Sequence, residues 1–89
     1  MSIAEAVLPE PLATLAESMI DDDVRALAIP KGLIADTTEN AYGYYMGVLG
    51  KLPAVPGLNE ASSIRFWGIV LVKAGANERG VVAAIRVLT

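Results

Sequence analysis

"AYGYYMGVLGK", residues 41–51, sets three tyrosines and three glycines in a run with no charge before Lys51. Its reading decides the fold. As a helix, Gly43, Gly47 and Gly50 would each cost about 1 kcal/mol relative to alanine. They would need a closely approaching backbone in return, as small-xxx-small seams have. As a strand, "YGYYMGVL" offers aromatic and β-branched residues suited to a pleated surface, and its glycines would mark a bulge or tight bend. Propensity favours the strand. Tyr42 and Tyr44 would then face one way and Tyr45 the other, one side lining a core and the other meeting a partner. In both readings the run is a packing seam, with small residues for approach and large amphipathic rings for area.

Downstream, "LPAVPGLNEASS" (52–63) is a loop by its two prolines and glycine. "IRFWGIVLVKAG" (64–75) is rich in β-branched and aromatic residues and reads as the central strand. The closing "NERGVVAAIRVLT" (77–89) has two readings. Val81, Ala84, Ile85 and Leu88 form a helical stripe with Asn77 as cap, whereas Val81, Ala83, Ile85 and Val87 fit one face of a strand.

Upstream, "PKGLIADTTEN" (30–40) combines a turn with a polar loop. That loop can open a helix, because Asp36 or Thr38 suits a cap and Asp36 and Glu39 have capping-box spacing. "VRALAI" (24–29) alternates and is stopped by Pro30, which predicts a short strand. "DDD" (21–23) reads as a solvated turn or an N-cap, since it has neither the spacing nor the glycine of a calcium loop. "LATLAESMI" (12–20) places Leu12, Leu15, Ala16, Met19 and Ile20 at helical spacing. Pro9 and Pro11 predict an extended arm over 1–11, followed by one compact domain over 12–89. The expected fold class is α+β: arm and short helix, then a small β-sheet or barrel-like body, with a C-terminal strand or helix. A small all-α bundle is the alternative.

"LVKAGANERGVVAAIRVLT" (71–89) resembles the strand-to-helix opening of the C-terminal domain of the bacterial ribosomal stalk protein. In that family a similar Ala-Gly-Ala-Asn turn precedes an apolar helix containing an arginine. The resemblance implies a helix at the C-terminus. It stops where the family's glycine-rich turn and lysine-bearing factor-binding helix would begin, so no factor-binding residue carries over.

Composition supplies the functional expectation. Counting glycine and leaving out tyrosine, about 60% of the 89 residues are apolar, against about 45–50% in an ordinary domain. A chain this size buries about 60–65% of its unfolded surface when it folds alone. Some apolar surface is therefore expected to meet a partner or a second copy. A membrane span is not expected, because Lys51, Pro53, Arg65 and Lys73 interrupt every apolar run short of about 20 residues. Glu5 and Glu10 likewise do not fit a signal peptide. An intracellular chain, or a component of a particle assembled inside a cell, is the expectation.

Several chemistries are disfavoured. The chain contains neither Cys nor His, which removes thiolate chemistry, the commonest acid–base group and the commonest metal ligand. A net charge of −3, with seven basic residues dispersed, argues against a nucleic-acid surface. Asp21, Asp22, Asp23, Asp36 and Glu39 lie in polar stretches and read as turn residues. Ser62 and Ser63 lack an activating histidine, and neither Lys51 nor Lys73 stands at a Ser–Lys motif spacing. "KAGANERG" matches no phosphate-binding loop. We expect no enzyme, no cofactor and no metal. The expected role is a small structural subunit acting by self-association or attachment to a larger assembly, such as a phage or capsid accessory or decoration protein. An adaptor or regulatory protein-binding module is the alternative. Expected interface residues are Leu12, Leu15, Met19, Tyr42, Tyr44, Tyr45, Phe66 and Trp67, types that anchor protein contacts.

Overall fold

In the helix running from Thr38 to Lys51, Ala41, Tyr45 and Leu49 fall four apart and are buried. Gly43, Gly47 and Gly50 fall on the opposite, exposed side. The computed structural model describes residues 10–29 and 38–89, the side chains of 10–13 and 38–40 excepted. Among the described residues there are five helices: Glu10–Ser18 (α1), Asp22–Ala28 (α2), Thr38–Lys51 (α3), Glu60–Lys73 (α4) and Glu78–Leu88 (α5). No strand forms among the described residues, so the α+β expectation is overturned and the chain is a small helical bundle. The extended arm predicted over 1–11 lies outside the described residues up to residue 9. Glu10 and Pro11 belong to the first turn of α1, where a proline is tolerated because its missing N–H has no helical partner.

Each strand prediction failed for an identifiable reason. Over 41–51, burial of Tyr45 (0% exposed) and Leu49 (1%) outweighs the helix cost of the glycines, because each such side chain contributes about 1.5–3 kcal/mol. Over 64–75, Phe66 to Leu71 are all buried. A continuous apolar run reads alike as a buried strand or an enclosed helix. Here α1, α2, α3 and α5 all pack on α4, which hides it on every side. Over 24–29, Val24, Leu27 and Ala28 turn inward, a spacing that a helix satisfies better than alternation does. The strand implied by the ribosomal-stalk resemblance is absent, and the C-terminal helix it implies is α5. Of the two readings of 77–89, the stripe Val81, Ala84 and Ile85 is buried, while Val87 is 61% exposed.

Local chemistry sets the boundaries. Asp21 Oδ1 accepts from Val24 N–H at 2.9 Å and caps α2, with Asp22 and Asp23 in the first turn. Asn59 Oδ1 accepts from Ser62 N–H at 2.8 Å at the start of α4. Asn77 Oδ1 accepts from Gly80 N–H at 3.0 Å at the start of α5. Such caps satisfy backbone donors that a helix leaves unpaired and contribute about 1 kcal/mol each. Helix α4 ends in a Schellman motif: Ala76 N–H donates to Leu71 O at 2.9 Å and Gly75 N–H to Val72 O at 3.1 Å. Gly75 takes φ +108° there, a conformation that disfavours any residue with a Cβ.

Helix α5 packs chiefly on α3 and also on α4. At the α3 crossing, a Cβ added to Gly80 would lie 3.1 Å from both Ala41 Cβ and a Tyr45 ring carbon. At the α4 crossing, one added to Gly68 would lie 2.6 Å from Ile85 Cδ1. These two glycines let the helices approach. The 41–51 glycines do not serve that purpose among the described residues.

Candidate functional site

The outward face of α3 is the least explained surface of the molecule. Among the described residues, nothing lies within 4 Å of where a Cβ would stand at Gly43, Gly47 or Gly50. Spaced by four and three residues, they form one strip along the helix. Tyr42, 40% exposed, and half-buried Met46 border it on one side. On the other side an open groove of about 430 Å³ runs between α2 and α3, with Leu27, Tyr44, Val48 and Leu52 among its lining and Lys51 at its rim. The combination is a smooth strip beside an apolar trough.

The floor of that trough is fixed by two adjacent phenols. Tyr44 Oη donates to Leu27 O at 2.6 Å, and Tyr45 Oη donates to Ala28 O at 2.7 Å. These are the last carbonyls of α2, which have no partner inside their own helix. Tyr45 Oη also accepts from Asn77 N–H at 3.0 Å, so one buried hydroxyl joins α2, α3 and the start of α5. The two rings meet edge to face with centroids 5.3 Å apart.

Burial raises the Tyr44 phenol above its ordinary pKa of 10.0. A group raised in this sense favours the fold below its unfolded value and loses that contribution as the pH climbs through the folded value, because the unfolded chain ionises first. The phenolate also cannot donate to Leu27 O. We therefore expect stability to fall above pH 10.0 and to fall less steeply in Tyr44→Phe. Urea titrations across that range check this, and parallel curves for both proteins would refute it.

The expected interface residues divide. Tyr45 and Phe66 are 0% exposed and Trp67 is 7% exposed, all three committed to the interior. Leu15 (39%) and Tyr42 (40%) are exposed, and Met19 and Tyr44 are half-buried. Leu12 falls on α1 with its side chain outside the described residues. Sequence reasoning missed the glycine strip as the accessible feature, although the 43/47/50 spacing carried it.

The polar candidates have structural employment. Ser63 Oγ accepts from Val55 N–H at 2.9 Å, and Trp67 Nε1 donates to Pro53 O at 2.8 Å, which ties the 52–59 loop to α4. Asp22 pairs with Arg25 at 3.4 Å and Lys73 with Glu17 at 3.3 Å, both in solvent. Asp36 lies outside the described residues, and Glu39 falls on α3 with its side chain likewise outside them. Among the described residues, no group of three or more His, Cys, Asp or Glu side chains is placed to hold a metal ion. No described helix is long and apolar enough to cross a membrane. Comparison with protein-family models, curated proteins and solved structures finds no match.

Proposed function

We propose that this chain is a small structural subunit that works by self-association or by attachment to a larger assembly, and that the outward face of α3 is its contact. The observation that carries the reading is the strip Gly43, Gly47 and Gly50, which meets nothing among the described residues. A solvated helix face gains about 1 kcal/mol for each glycine replaced by alanine. A strip that meets no neighbour among the described residues fits a face reserved for another backbone. Exposed Tyr42 supplies the kind of ring that anchors such contacts.

The experiment replaces all three glycines by alanine. The isolated subunit is expected to gain about 3 kcal/mol of stability, while its self-association, measured by light scattering, weakens at least about tenfold, or 1.4 kcal/mol. A stabilised variant that associates as before removes the face from the proposal. A wild-type chain that stays monomeric at high micromolar concentration and binds no lattice removes the proposal itself. The α2–α3 groove favours a second reading, an adaptor that takes an amphipathic helix of one partner. A stoichiometric complex with a single soluble partner would favour it over self-association.

A further inference from the structure

Glu60, Ser63, Ile64 and Trp67 recur at helical spacing on α4 and share one side of it. They line a cavity of about 270 Å³ that Leu49 and Leu52 bound from the end of α3 and Leu88 from the end of α5. Leu52 alone is shared with the α2–α3 groove. Trp67 Nε1 is tied to Pro53 O, which sets the indole as a fixed wall. Ser63 is 4% exposed. Its Oγ accepts from Val55 N–H at 2.9 Å, and among the described residues nothing accepts its proton. A hydroxyl carries one donor beside its lone pairs, and a buried donor is costly to leave unpaired. Glu60 is exposed and brings the opposite capacity, a carboxylate that accepts.

Side chains three apart on a helix have Cβ atoms about 5–6 Å apart, which leaves room for one oxygen between the Ser63 donor and the Glu60 acceptor. A water fills about 30 Å³, a small part of this cavity, and the other side chains around it are apolar. We infer that the cavity binds a small apolar molecule bearing a single hydroxyl. That hydroxyl accepts the Ser63 proton and donates to the Glu60 carboxylate, and the hydrocarbon body lies against Trp67, Ile64 and the leucines. An ammonium group has donors only and leaves the Ser63 proton unanswered. A carboxylate or phosphate is repelled by Glu60 and by the chain's net charge of −3. The volume lies just below the range of about 300–1,000 Å³ that holds drug-sized ligands, so the ligand is about one ring in size. Association through α3 is neither needed for this binding nor tested by it.

The test uses the full chain with benzyl alcohol as the probe and toluene, which keeps the ring and lacks the hydroxyl, as its control. Each is titrated into isotopically labelled protein to millimolar concentration, and the backbone amide and Trp67 indole N–H resonances are followed. Benzyl alcohol is expected to give saturable shifts clustered at the end of α3, the 52–59 loop, the first two turns of α4 and the end of α5. Toluene is expected to bind about tenfold more weakly, because a site built around a hydroxyl rejects the analogue without one. Ser63→Ala and Glu60→Ala should each lower the affinity for benzyl alcohol toward that for toluene and leave toluene unchanged. Glu60 is exposed, so its variant keeps the fold even where Ser63→Ala loosens the loop. Equal affinity for the two probes, or a Glu60→Ala chain that binds benzyl alcohol as the wild type does, overturns the proposal. Scattered or unsaturable shifts also overturn it and leave a hydrated cavity only.

Discussion

A Trp67→Ala chain is expected to lose about 3–5 kcal/mol of stability. The indole is 7% exposed, meets Phe66 edge to face at 5.8 Å, and fastens the 52–59 loop through Pro53 O. Truncation leaves a cavity beside Phe66 and frees Pro53 O in the loop of its indole donor. A small domain holds about 5–15 kcal/mol in all, so the loss approaches unfolding. Trp67→Phe, which keeps most of the ring and loses only the donor, should cost about 1–2 kcal/mol. Urea denaturation followed by circular dichroism separates this core role from an interface role. An interface tryptophan would weaken association while leaving the monomer's midpoint in place, and that result would remove Trp67 from the core assignment.

The second large effect falls on Tyr45. Removing its hydroxyl in Tyr45→Phe costs about 2–6 kcal/mol, because one buried and one part-buried backbone group lose this partner at about 1–3 kcal/mol each. Those groups are Ala28 O and Asn77 N–H. Tyr44→Phe releases one carbonyl in a half-buried setting and should cost about 1 kcal/mol. Because the rings touch, the double variant should depart from additivity by about 0.5 kcal/mol or more. Equal costs for the two single variants would refute the joint role assigned to the Tyr45 hydroxyl.

Helix ends were the most legible part of this sequence. Asp21, Asn59 and Asn77 cap where side-chain chemistry placed turns or caps, and the prolines of 52–63 mark the loop before α4. Helix α5 follows the stripe that periodicity displays, whereas of the 12–20 stripe Met19 and Ile20 fall beyond the end of α1 and Leu15 is exposed. Helices α3 and α4 were hidden by different effects. Helix α4 has no polar face to create a period, since its neighbours enclose it. In α3 the tyrosines and valine carry strand propensity, which measures fit to a half-buried pleated surface and yields to tertiary packing. The decisive pattern was Ala41, Tyr45 and Leu49 against Gly43, Gly47 and Gly50, two interleaved sets at helical spacing. The candidate surface was legible in composition and misplaced in detail, because ring size alone does not distinguish Tyr42, which faces solvent, from Tyr45, which ties three helices.

The lone tryptophan of this chain sits midway along α4 and is bonded to the 52–59 loop, while the tyrosine junction gathers the end of α2 and the start of α5. Emission excited selectively from the indole therefore follows detachment of the loop, and phenol absorbance follows loosening of the junction. Two native chromophores thus report on different parts of the bundle without any added label, and a perturbation that alters one signal and spares the other reveals which part has yielded.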